Sequence, residues 1–124
     1  MSEEITVVFA GDVFLGKSLN ELVRTEGLEW LKRRLWEPVG DCDYVFYNLE
    51  APVTDNLCER ETKSWNLRSP RVVVEMLDKR FVASIANNHI MDFGCQGLSD
   101  TMGALAARQP SRAPACNSRV RPPW

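Results

Sequence analysis

One histidine, His89, serves the whole chain of 124 residues. Cysteines are also few: Cys42, Cys58, Cys95 and Cys116 are widely scattered and form no C-x-x-C pair. That spacing excludes a zinc ribbon and a disulfide scaffold, and it fits reduced thiols in the cytosol. No apolar run approaches the roughly 20 residues of a membrane span. The opening residues, MSEEI, are acidic and lack the basic, apolar and small-residue succession of an export signal, so a cytoplasmic protein is expected. The net charge of -2 excludes strong attraction to nucleic acid or to an acidic membrane. No internal repeat is present.

Acidic residues are absent after Asp100, whereas Arg108, Arg112, Arg119 and Arg121 all follow it. The same stretch holds four of the seven prolines and almost no apolar periodicity. Such a segment buries too little surface to offset its ordering entropy. The chain is therefore expected to be one domain over residues 1–107, with a disordered Arg- and Pro-rich tail over 108–124. A basic arm for an acidic partner is the functional alternative for that tail.

What is present alternates. Residues 5–10, ITVVFA, are apolar and largely β-branched, as in a buried strand. Ser18 is placed to cap a helix, with Glu21 three residues on as in a capping box. Leu19, Leu22 and Val23 give that helix its apolar face, and Gly27 ends it. Leu28, Leu31 and Leu35 resume helical spacing until Pro38. DYVFYNLE reads as a second buried strand, and residues 53–69 as a long polar loop. SPRVVVEMLDKR reads as a helix capped by Ser69, with Pro70 in its first turn. FVASIA is a third strand, and residues 97–107 form a last helix. The order β-α-β-loop-α-β-α implies an α/β fold with a mostly parallel sheet. Three strands are few for such a sheet, so the architecture reads as unfinished.

Each strand ends in polar residues: GD, then NLE, then NNH. In a parallel sheet these ends share one edge, where α/β ligand sites form. Asp12, Asn48, Glu50, Asn87, Asn88, His89 and Asp92 are thus candidates to meet, though far apart in sequence. Oxygen and imidazole donors of this kind suit Mn²⁺, Zn²⁺ or Fe. Asp92 follows His89 by three residues, where it can orient the imidazole. Each residue alone has a plainer reading: an Asp after a strand caps helices, an Asn pair marks turns, and a single His is usually structural. Recurrence at three strand ends favours the site.

A second pattern overlaps the first. GDVFLGKS, residues 11–18, fits the G-x-x-x-x-G-K-S of a phosphate-binding loop through Gly11, Gly16, Lys17 and Ser18. Asp12 would set a carboxylate beside the phosphates, and Val13, Phe14 and Leu15 are bulky where the backbone must curl. This nucleotide-binding reading is the weaker alternative. Gly16 and Ser18 fit equally well as a turn and a helix cap, and Lys17 as a solvated first-turn side chain.

FAGDVFLG, YNLEAPVT and IANNHIMDFGCQGLSDTMGAL resemble three successive motifs of the bacterial capsule-synthesis CapA family, the poly-γ-glutamate capsule proteins, and NLRSPRVVVEML resembles the segment leading into the third. The resemblance covers about residues 5–107. It implies a fold similar to calcineurin-like metallophosphoesterases, a four-layer α/β/β/α arrangement of which this chain would be a truncated N-terminal half. By matching positions it implies Asp12, Glu50, Asn88 and His89 as ligands of a divalent metal. It also implies His89 and Asp92 in catalysis, with Asn48 and Asn87 at the substrate. The implied chemistry is hydrolysis of a γ-glutamyl amide or a phosphoester by metal-activated water. Family members continue into a second half with further histidines, and none follows His89 here. An incomplete site is therefore expected, and with it the alternative of a non-catalytic fragment or assembly partner. Arg, Pro and Ala are what GC-rich codons yield out of frame, so the tail is expected to be a frameshifted reading.

Overall fold

The computed structural model describes residues 4–16, 18–58 and 64–108. In chain order the elements are β1 (Val7–Val13), α1 (Ser18–Glu26), α2 (Leu28–Trp36), a 3-10 turn (Glu37–Val39), β2 (Tyr44–Leu49), α3 (Val72–Glu75), β3 (Phe81–Ser84) and α4 (Gly94–Ala106). The three strands form one parallel sheet in the order β1-β2-β3. This is the mixed α/β architecture that the alternation of elements requires. The residues expected to form a tail lie, save Arg108, outside the described residues. Lys17 does too.

The two faces of the sheet differ sharply. Val45, Tyr47, Leu49 and Phe81 are buried with Leu19 of α1, Leu31 of α2, and Val73, Val74, Met76 and Leu77 around α3. Fully burying one such aliphatic side chain stabilises the fold by about 1.5–3 kcal/mol. Trp36 joins this core, donating from Nε1 to the Met76 carbonyl at 2.8 Å while its ring meets that of Phe81 at 4.5 Å. On the other face Val7, Phe9, Tyr44 and Phe46 stay exposed, with Phe9 and Phe46 stacked at 5.5 Å. β1 is therefore an exposed edge strand rather than the buried strand its composition suggests. It also runs three residues further than expected, to Val13.

Other expectations are corrected by specific contacts. Ser18 is the first helical residue of α1 rather than its cap, and Glu21 pairs with Arg24 at 2.9 Å instead of closing a capping box. Gly27 does end α1, at φ 86°, a left-handed conformation suited to glycine. Ser69 caps nothing; it is fully buried and bridges Val53 in parallel. Its N–H donates to the Pro52 carbonyl at 2.9 Å, and the Thr54 N–H donates to its carbonyl at 3.3 Å. Held extended there, ahead of Pro70, the chain resumes helix only over Val72–Glu75. The β-branched run Val72, Val73, Val74 adds little helical preference. The expected long polar loop is thus buried at its start, over Val53 and Thr54, as are Ala51 and Pro52 just ahead of it.

α4 begins at Gly94, three residues earlier than expected, and lies against that buried segment. The Thr101 hydroxyl accepts from the Val53 N–H at 2.8 Å and donates to the Gly97 carbonyl at 2.7 Å. Asp100 takes hydrogen bonds from the Thr54 hydroxyl and from Gln96, which hold its carboxyl below the usual aspartate value.

Candidate functional site

The polar strand ends meet along the edge that parallel pairing predicts. A bulge in β1 helps: Phe9 pairs with Phe46, but the next partners are Asp12 and Asn48, so β1 carries one extra residue. The extra residue turns the strand's end and sets Asp12 opposite Asn48. Asn48 Nδ2 then donates to Asp12 Oδ1 at 2.9 Å and to Glu50 Oε2 at 2.5 Å. One amide nitrogen thus stands between two carboxylates.

The β3 end adds the turn that carries the imidazole. Asn87 Nδ2 donates to Asn48 Oδ1 at 3.1 Å and to the Leu49 carbonyl at 2.8 Å. Its Oδ1 accepts from the N–H groups of His89 and Ile90, each at 3.0 Å. The Asn87 amide, expected at the substrate, makes these bonds within the protein and fixes the turn on which His89 sits. Asn88 is exposed on that same turn. His89 Nδ1 lies 2.6 Å from Oδ2 of Asp92, which is fully buried and also accepts from the Leu67 N–H at 2.7 Å. The other ring nitrogen, Nε2, is 4.0 Å from Glu50 Oε1.

Asp12, Asn48, Glu50 and Asn87 are therefore joined directly, and the His89–Asp92 pair abuts them through Glu50. Two carboxylates and an imidazole nitrogen have the donor chemistry for a divalent cation. As placed, they do not converge: among the described residues no group of three His, Cys, Asp or Glu side chains is set to share one ion. The Asn48 amide between Asp12 and Glu50 is the physical reason. An ion in that place would have to displace its N–H donors.

The phosphate-loop alternative loses its loop. Gly11, Asp12 and Val13 belong to β1, and the Glu50 N–H donates to the Val13 carbonyl at 3.1 Å. Only residues 14–17 remain between strand and helix, too few to wrap phosphates with the pattern's first glycine held in the sheet.

Sequence reasoning missed a cleft that borders this site. A cleft of about 430 Å³ is bounded by Phe14, Leu57, Leu67, Arg68 and Phe93, among others. It adjoins the His89–Asp92 pair through the Leu67 N–H. Arg68 lies in a polar run where an arginine looks merely solvated, and only the fold shows it on the wall of this cleft. No described helix is long and apolar enough to cross a membrane.

The chain resembles known proteins over the same residues. It is 28% identical over 109 residues to the capsule biosynthesis protein CapA of Bacillus anthracis, covering 84% of this chain and 26% of that protein. It is 31% identical over 105 residues to the PGA biosynthesis protein CapA of Bacillus subtilis, covering 82% of this chain and 28% of that protein. The chain thus spans about a quarter of the length of these curated relatives. Residues 6–111, which include every strand-end residue described above, match the family described as bacterial capsule synthesis protein PGA_cap, and the chain belongs to that family.

Proposed function

We propose that this chain supplies the strand-end part of a hydrolytic centre acting in capsule synthesis on poly-γ-glutamate. The observation that carries the reading is the His89–Asp92 pair at 2.6 Å beside two carboxylates. Asp92, buried and already accepting from Leu67, takes the Nδ1–H of His89 and so fixes the ring's tautomer and orientation. Nε2 is left with its lone pair on the Glu50 side. There it is free to ligate a cation or to carry a proton to the leaving group. Asn87 holds the turn, and Asn48 sets the spacing of Asp12 and Glu50. A divalent cation, Mn²⁺, Zn²⁺ or Fe, would be held by Asp12, Glu50, Asn88 and His89 only on displacing the Asn48 N–H donors from between the two carboxylates. Bound there it would acidify a water and polarise the scissile bond. The Bacillus subtilis relative is named for PGA biosynthesis, which is why the polymer is taken as the substrate in this reading.

Titration with Mn²⁺ or Zn²⁺ by calorimetry, alongside release of glutamate from the polymer, tests this. Asp12→Ala and His89→Ala should each weaken cation uptake at least tenfold; uptake unchanged in both would sink the proposal. A second reading, a non-catalytic assembly partner, is favoured by donors that do not converge. Cation uptake without any turnover would select it.

A further inference from the structure

The cleft beside the His89–Asp92 pair has one cation on its wall, and that cation lacks an ionic partner among the described residues. Arg68 is half-buried, and its guanidinium makes one long hydrogen bond, Nη1 to the Thr54 carbonyl at 3.4 Å. Its Cζ lies 5.7 Å from the centroid of the Phe93 ring. Aromatic stacking orients a guanidinium without consuming its N–H donors, so most of the five remain available. A second, smaller cleft of about 230 Å³ also borders Arg68, with Asp55 on its wall. No Asp55 carboxylate oxygen comes within the 4.0 Å that an ion pair with Arg68 would require. The charge is thus partly withdrawn from water and not repaid by a carboxylate of the protein.

We infer that Arg68 is the anion-reading residue of a substrate cleft, taking the free α-carboxylate of a γ-linked glutamyl unit against the apolar wall of Phe14, Leu57 and Phe93. The substrate class rests on the function proposed above; the assignment of Arg68 rests on the cleft. A planar guanidinium matches a carboxylate through two parallel hydrogen bonds, which an ammonium does not reproduce. The two methylenes of each glutamyl unit suit the aromatic and aliphatic wall. The position is apt as well. Leu67, next in the chain, donates its N–H to Asp92, so a unit held at Arg68 lies beside the His89 turn. The carboxylates of Asp12, Glu50 and Asp92 would otherwise repel a polyanion from this edge, and Arg68 offsets them.

The test is calorimetric binding of a γ-linked glutamate hexamer to the chain in EDTA, so that the result is independent of cation uptake. The unaltered protein should bind the hexamer. Arg68→Met should weaken that binding at least tenfold, and Arg68→Lys should restore only part of it. Equal affinity for the unaltered and Arg68→Met proteins would overturn the inference, as would no binding by the unaltered protein. Inorganic phosphate competing as well as the hexamer would overturn the carboxylate assignment. In case Arg68→Met does not fold, phenylglyoxal labelling of the unaltered protein read by mass spectrometry gives the same answer. The hexamer should protect Arg68, and an unprotected Arg68 at saturating hexamer would refute the assignment. Cation uptake by the unaltered protein, measured separately, tells a failure of this inference from a failure of the hydrolytic reading.

Discussion

Tyr47 shows what a single buried atom does in this fold. Its ring lies in the core, edge-on to Phe81 at 6.1 Å, while its hydroxyl has no hydrogen-bond partner among the described residues. Burial accordingly pushes the hydroxyl's pKa far above the usual tyrosine value. An unpaired buried hydroxyl costs about 1–3 kcal/mol of desolvation. Tyr47→Phe keeps the ring and removes that cost, so it should stabilise the protein by about 1 kcal/mol. Urea denaturation followed by circular dichroism reads this as a higher midpoint with an unchanged slope. A lower midpoint would show that the hydroxyl has a partner in solution. Asp92 is the opposite case, buried with both an imidazole and an N–H on one oxygen. The sequence placed Asp92 where it could orient His89, because three residues is a local spacing. It could not show the Leu67 N–H, which arrives from 25 residues away.

At the scale of elements, α4 is crowded at Gly97 by the residue that precedes the helix, Phe93, and rests in ordinary contact on the buried segment that follows β2. A Cβ added at Gly97 would stand 2.8 Å from Phe93 Cβ and 3.6 Å from the Thr54 methyl. Gly97→Ala should therefore destabilise by about 1–3 kcal/mol through overpacking. Gly103, on the same helix, has nothing within 4 Å of such a Cβ, and its φ is not left-handed. Gly103→Ala should stabilise by about 0.5–1 kcal/mol, the ordinary gain of alanine over glycine in a helix. Thermal melts of the two variants should thus move in opposite directions; two shifts of one sign would refute the crowding of Gly97 against Phe93. The helix was legible in its sequence, but its reason for lying where it does was not. The Val53–Ser69 bridge that shapes its bed joins residues far apart in the chain, and nothing local in VTDN or LRSP announces a pairing. Ser69 ahead of Pro70 has the local signature of a helix cap, and tertiary pairing overrode it. The strand ends were legible for the converse reason. Parallel alternation alone brings GD, NLE and NNH to one edge, whatever the details between them.

At the largest scale, the described residues form one sheet with one covered face. Its strands read as continuous apolar runs, the signature of burial on both sides, and the described residues bury only one. Phe9 is 80% exposed on β1, which among the described residues has a strand neighbour on one side only, and its ring stacks on Phe46. An open edge beside an apolar face invites pairing between chains. Phe9→Lys places a charge on both features at once. Because Phe9 is so exposed, its loss should cost the fold no more than the stacking with Phe46, about 1 kcal/mol or less. The same change should raise the concentration at which light scattering first detects association. A large loss of stability would mean that the ring is covered in solution, contrary to its exposure here. Association unchanged by the lysine would move the cause away from this face, because no charge at its centre would then oppose the contact. Stability retained with association suppressed would show that the covered face alone holds this chain together, and that the bare one contributes to contact rather than to folding.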